Sequence, residues 1–411
     1  MSGMLISMSA LFSSWYLERH RALLSSWETH LPIGMMVWGL IWWFGAAVHK
    51  LERQLPSKYV AQAVVSHVAL SLGLMGWIAR RLDWGSLRFP PMGLLPLMVF
   101  AALHTFARGF NVHPLHDGWW ATWAVAYAVF YFLLRIHENY WSRHLLHGLH
   151  LVGFWLAVFL ITWETGWGLD RLIPGQGVWR FVGWGLAPAL VALAMSSTGH
   201  RWPWPVKPYR RLYQGEGLAV LVGYLLGWCA VSTAHTANPT PLGYCPLLNP
   251  VDLMVVFVVL LAVKWSTQHA DCWYFKRFPI PDTARAVILG VVVVLCLSAT
   301  LARTFHFWSE VPFRLGALAR STLFQAALSV LWSLIAMGAM GLATRRRLRP
   351  VWFAGAGLLA VVVLKLFSMD LSGSGTIARI ISFLAVGALM LIIGYFSPLP
   401  PNQTKEQEQR A

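Results

Sequence analysis

The sequence predicts an all-α fold: a polytopic integral membrane helical bundle of about twelve transmembrane helices with both termini in the cytoplasm. Three observations predict it. Of 411 residues, 57% are hydrophobic and only 12% charged, about half the charged share of soluble domains. The apolar residues gather in runs long enough to cross a hydrocarbon core of roughly 30 Å at about 1.5 Å per residue. The basic residues, 32 Lys and Arg against 16 Asp and Glu, fall mainly in alternate connections, about twenty in one set and about eight in the other. Cytoplasmic loops of membrane proteins carry such an excess, so the charge of +16 points to membrane lipids rather than to nucleic acid as a partner. The 24 Trp suit a chain with many membrane interfaces, where the ring is half wet.

Taken in order, residues 1–30 set Trp15, Tyr16 and Leu17 beside Glu18, Arg19 and Arg21. They read as an amphipathic interfacial segment on the membrane surface. The transmembrane domain, 31–400, follows. Its apolar runs are 31–48, 59–79, 92–107, 118–134, 145–163, 181–195, 217–233, 251–266, 283–301 and 322–343. Two more runs, 351–368 and 376–396, form a closing hairpin around a Ser- and Gly-rich turn. The tail 401–411 is too polar to order itself and reads as a disordered cytoplasmic extension.

The closing hairpin carries three charges where lipid disfavours them: Lys365 about one turn before the hairpin turn, Asp370 in it, and Arg379 about one turn after it. Antiparallel pairing would bring the two cations to similar depth. They either form a polar nest for an anion or snorkel to the head groups.

The face opposite the basic loops holds most of the other candidates. The 108–118 connection offers His113, His116 and Asp117, which suit proton exchange near neutral pH. They lack a third ligand at fixed spacing, so no metal is expected. Glu164 ends the fifth span, either as a base for chemistry on a lipid-linked substrate or as the partner of Arg171, Arg303 or Lys365. Asp170, Arg303 and His306 lie on the same side. Asn249-Pro250-Val251-Asp252 reads as a helix start, with Asn as N-cap, Pro at the first position and Asp252 bonding back to the cap. His144, His147 and His150 recur every three residues at the start of the fifth span and read as polar residues of the inner interface. The four cysteines show no paired spacing, so neither a disulfide framework nor a zinc site is expected. No phosphate loop, dinucleotide fingerprint, nucleophile elbow or HExxH stretch occurs, which disfavours ATP-driven transport within this chain and the common hydrolases. No cofactor is implied.

Several stretches resemble the bacterial predicted membrane protein family called domain of unknown function 2339. These are Pro241 through Leu253, His113-Pro114 with Asp117-Gly118, Trp163-Glu164, Arg201-Trp202-Pro203-Trp204-Pro205, and Arg303 with His306. The closing run, Val361 through Phe367, Asp370-Leu371-Ser372, Ala378-Arg379-Ile380 and Gly394-Tyr395-Phe396, is the most specific match. The resemblance covers about Trp38 to Pro400. Family members are usually longer, so the chain is similar to the C-terminal half of one. It implies a multi-pass protein of the bacterial inner membrane, partnered by lipids, by other envelope proteins or by an upstream set of spans, but no set activity.

Three functions then stand. The first is a carrier or translocation component for an anionic, glycan- or lipid-linked envelope substrate, with Lys365, Arg379 and Arg303 holding the anion and Asp370, Glu164 and His306 around it. The second is a membrane-embedded transferase acting on a polyprenyl-linked substrate at the outer face. There Glu164, Asp117 or Asp170 supplies the carboxylate and His113, His116 or His306 carries the proton. It requires a cavity open sideways to lipid beside an outer-face acid. The third is a non-catalytic envelope scaffold.

Overall fold

The computed structural model describes residues 2–109, 112–175, 178–268, 282–346, 348–366 and 391. Its regular elements are helices throughout. In chain order they are α1 (Ser2–Arg19), α2 (Leu31–Gln54), α3 (Ser57–Arg81), α4 (Leu94–Ala107), α5 (Trp119–His137), α6 (Arg143–Leu172) and α7 (Val178–Thr198). There follow α8 (Leu218–Ser232), α9 (Pro250–Gln268), α10 (Asp282–Trp308), the short α11 (Leu315–Arg320), α12 (Thr322–Arg346) and α13 (Arg349–Lys365). Ten helical segments among the described residues are long and apolar enough to cross a membrane. They coincide with the first ten runs read from the sequence. The eleventh run forms α13, of 17 residues. The twelfth, 376–396, and the tail 401–411 lie outside the described residues.

The chain divides into two compact units, Met1–Gly168 with Thr198–Tyr213, and Leu169–Ser197 with Gln214–Ala411. In the first, α1 runs antiparallel along α2. The Ser7 hydroxyl donates to the Gly39 carbonyl at 2.7 Å and Ser14 to Pro32 at 2.6 Å, while Gly3 lies against Ala46. Part of the segment expected at the membrane surface is thus a helix paired lengthwise with a candidate span. The core of this unit is built from α3, α4 and α5, with Ala69, Leu72, Leu94, Met98, Ala126 and Leu133 at its centre. Small residues let α3 and α5 approach closely: a Cβ at Gly76 would come within 2.3 Å of Leu133, the packing that association in lipid depends on. Large apolar side chains such as Leu70, Leu74 and Trp77 face outward from α3.

In the second unit α7, which contains Pro188, packs on α8 through the stacked Phe181 and Trp228 rings, 4.7 Å apart. Within this unit α8 is preceded by Gln214–Gly217, the second part of a π turn that begins at Leu212. There Gln214 donates to the Met195 carbonyl at 2.8 Å and its own carbonyl accepts from Trp265 Nε1 at 3.0 Å. Helices α12 and α13 pair around Ala336, Met340 and Leu359, with Gly355 at the closest approach.

Candidate functional site

In the first unit, α6 and the 108–118 connection build a polar pair at the end of an apolar groove. The connection doubles back because Gly109, Asp117 and Gly118 adopt left-handed backbone, at φ 106°, 45° and 92°, a conformation that glycine takes without cost. It is tied down where Trp123 Nε1 donates to the Pro114 carbonyl at 3.1 Å, His116 Nδ1 to the His113 carbonyl at 2.5 Å, and Gln62 to the Asp117 carbonyl at 3.3 Å. This fold-back lays the His113 ring flat on Trp167, centroids 3.8 Å apart. It also brings His113 Nδ1 to 2.9 and 3.1 Å from the two Glu164 oxygens.

Glu164 and Trp167 are three residues apart and so share a face of α6. Continuing down that helix, Ala157, Leu160, Ile161 and Thr165 join Trp123 and Tyr127 of α5 and Leu115 of the connection around a cavity of about 310 Å³ that ends on Glu164. Ile161 is exposed, so the groove opens sideways, towards where lipid would lie. The pair at its end is only partly covered, with Glu164 28% and His113 20% exposed. A carboxylate on Nδ1 fixes the imidazole tautomer and leaves Nε2 to accept or deliver a proton.

A second polar centre lies in the second unit. Asn249 caps α9: its Oδ1 accepts from Val251 N at 2.9 Å while its Nδ2 donates to the Ala237 carbonyl at 2.8 Å. Asp252 does not bond back to that cap. Its Oδ1 accepts from Arg303 Nη1 at 2.5 Å and from the Thr300 hydroxyl at 2.9 Å. Arg303 Nε donates to the His235 carbonyl at 3.1 Å and Nη2 to that of Ser232. Both side chains are sealed off, Arg303 at 1% and Asp252 at 3% exposure. Each guanidinium nitrogen of Arg303 therefore holds a protein acceptor. His235 lies beside this pair, stacked on Phe181 at 4.8 Å, with Nδ1 accepting from Ala237 N at 2.9 Å. Burial, and then the charge of Arg303, hold its pKa below the usual histidine value.

The remaining candidates are spread out. Asp170 pairs with Arg180, His306 Nδ1 donates to the Val311 carbonyl at 2.9 Å, and Asp117 is exposed. Lys365 ends α13 with Nζ donating to the Gln325 carbonyl at 2.9 Å and the Ser329 hydroxyl at 2.7 Å. Asp370 and Arg379 lie outside the described residues. The structure therefore brings together Glu164 and His113, and separately Arg303 and Asp252. Among the described residues no group of three His, Cys, Asp or Glu is placed to hold a metal ion.

Sequence reasoning missed a buried hydrogen-bonded group within the first unit. The His150 side chain is buried in the protein: it is 1% exposed and hydrogen-bonded to the Tyr213 hydroxyl at 2.8 Å, with Tyr209 tilted over its ring. The available signal was its place on the apolar fifth run, since an ionisable residue inside a span needs a partner.

Among the described residues the regular elements are all helices and ten segments are candidate spans, which makes this a polytopic helical membrane protein. The sequence profile of the family described as "Predicted membrane protein (DUF2339)" matches residues 18–400, most of the chain. The protein belongs to that family. No curated protein and no solved structure matches it.

Proposed function

We propose that this protein takes the hydrocarbon chain of a lipid-linked envelope substrate into the groove between α5 and α6. It then transfers the polar head of that substrate at the Glu164–His113 pair. In this reading the site lies at the outer face of the bacterial inner membrane, with both chain ends in the cytoplasm, as the distribution of Lys and Arg suggests. The observation that carries it is the coincidence of a sideways-opening apolar groove with a carboxylate–imidazole pair at its end. His113 Nε2 takes the proton of an acceptor hydroxyl, whose oxygen forms the new bond to the head group. The polyprenyl phosphate leaves as an anion and needs no proton. Glu164 holds the imidazole in the working tautomer and stabilises its charged form.

The test uses the full chain in lipid nanodiscs with a diazirine-bearing polyprenyl phosphate and polyprenyl-linked glycan extracted from native membranes. Cross-links to α5 and α6 are expected in the wild type and lost in Ala157→Trp, which fills the groove. With envelope extract supplying the acceptor hydroxyl, conversion of the glycan-bearing lipid to free polyprenyl phosphate is expected in the wild type and absent in Glu164→Gln and His113→Gln, both of which keep the cross-link. Cross-linking that ignores Ala157→Trp would refute the groove, and conversion that survives Glu164→Gln would refute the chemistry.

A carrier of an anionic envelope substrate is the second reading. It is favoured by the partly buried ammonium of Lys365 at the interface of α12 and α13. Under it, Lys365→Met abolishes cellular function at an unchanged protein level while Glu164→Gln is tolerated.

A further inference from the structure

At the opposite end of α6 from Glu164, still within the first unit, the turn between α5 and α6 and the segment entering Leu212 border an open cavity of about 730 Å³. That is within the roughly 300–1,000 Å³ of small-molecule sites. Arg143, Arg210, Arg211 and His147 line it, against one carboxylate, Glu138. That carboxylate is already engaged, because the Tyr209 hydroxyl donates to Glu138 Oε1 at 2.7 Å. Burial, and then this bond, push the Tyr209 pKa up to about 12, so the phenol stays a neutral donor and adds no negative charge. Basic clusters and pockets on the cytoplasmic side of a membrane protein attract anionic head groups. Here three arginines, one at the start of α6 and two from the connection before α8, line one concavity, with an excess of positive charge among its lining residues. Guanidinium groups match phosphate oxygens in pairs, each bond charge-assisted.

We propose that this cavity binds a phosphate-bearing anion on the face that the basic loops assign to the cytoplasm. Either a soluble phosphate compound or the head group of an anionic phospholipid fits that chemistry. The site is separate from Glu164 and does not depend on the transferase reading.

The full chain in phosphatidylcholine nanodiscs is titrated with inorganic pyrophosphate by calorimetry, and the protein extracted from phosphatidylglycerol-containing membranes is weighed intact with its retained lipids. Saturable pyrophosphate binding that weakens at least tenfold in Arg143→Gln/Arg211→Gln, tightens in Glu138→Gln and falls with added salt supports a soluble ligand. Retention of phosphatidylglycerol by the wild type but not by the double variant, without pyrophosphate binding, supports a lipid head group. Absence of both pyrophosphate binding and variant-sensitive lipid retention would overturn the proposal. The altered arginines are exposed, and an unchanged elution profile of the double variant confirms that folding is intact.

Discussion

Substituting Asp252 or Arg303 should reveal whether the charges of the second unit hold the fold or await a ligand. Arg303 is buried with Asp252 as its counter-ion and two backbone carbonyls on its other nitrogens. Removing one member of such a pair leaves an uncompensated buried charge, which costs about 3–5 kcal/mol. Asp252 Oδ2 already lacks a hydrogen-bond partner, so Asp252→Asn can also bury an unsatisfied amide. For a unit of this size roughly 2–4 °C of midpoint accompanies each kcal/mol. Asp252→Asn and Arg303→Met should therefore each lower the thermal midpoint by about 6–20 °C. The double variant should cost close to one single rather than their sum, since each change removes the charge stranded by the other. Fluorescence-detected size-exclusion after a heating series in detergent reads all four proteins. Singles within about 1 kcal/mol of wild type, or a double that is fully additive, would refute the reasoning and return Arg303 to the pool of ligand-binding cations.

Three further outcomes follow from the geometry. A Cβ at Gly355 would meet Met340 at 2.7 Å and the Ala336 carbonyl at 3.1 Å, so Gly355→Val should separate α12 from α13 at about 1–3 kcal/mol; an unchanged melting profile would contradict that close approach. His235 has a folded pKa below its unfolded one. Its contribution is therefore complete above the unfolded value, about 6.5, and is lost as pH falls through the folded value. Wild type should thus lose more stability between about pH 7.5 and 5.5 than His235→Asn, which keeps an acceptor for Ala237 N; identical pH profiles would remove His235 as a source. Cys245 is exposed while Cys229 and Cys296 are buried. In a Cys272→Ser background an impermeant maleimide added outside should label Cys245 alone, and labelling only after lysis would reverse the orientation inferred from the loop charges.

The helices were legible because span length and apolar run are local properties, and Asn249-Pro250 announced the start of α9 because capping is local too. What the sequence hid was pairing at distance. Asp252 looked like a capping acid because its partner, Arg303, lies 51 residues on and nothing in the intervening sequence announces the contact. Glu164 offered arginine and lysine as partners by charge, yet His113 reaches it because left-handed residues turn the connection back, and a turn of that kind leaves little trace beyond Asp117-Gly118. His150 looked interfacial from the three-residue recurrence of its neighbours, whereas its side chain turns inward to Tyr213. The groove itself was foreseen as the requirement of one function, but not its lining, which depends on how α5 and α6 are rotated about their axes.

A cryo-EM map of the protein in native lipid tests the central claim most directly, read along the groove between Trp123, Tyr127, Leu160 and Ile161. The account predicts elongated density following α6 and ending in a head group within hydrogen-bond reach of His113 and Glu164. A groove closed by its own side chains, with the Glu164–His113 pair sealed from both lipid and water, would contradict it.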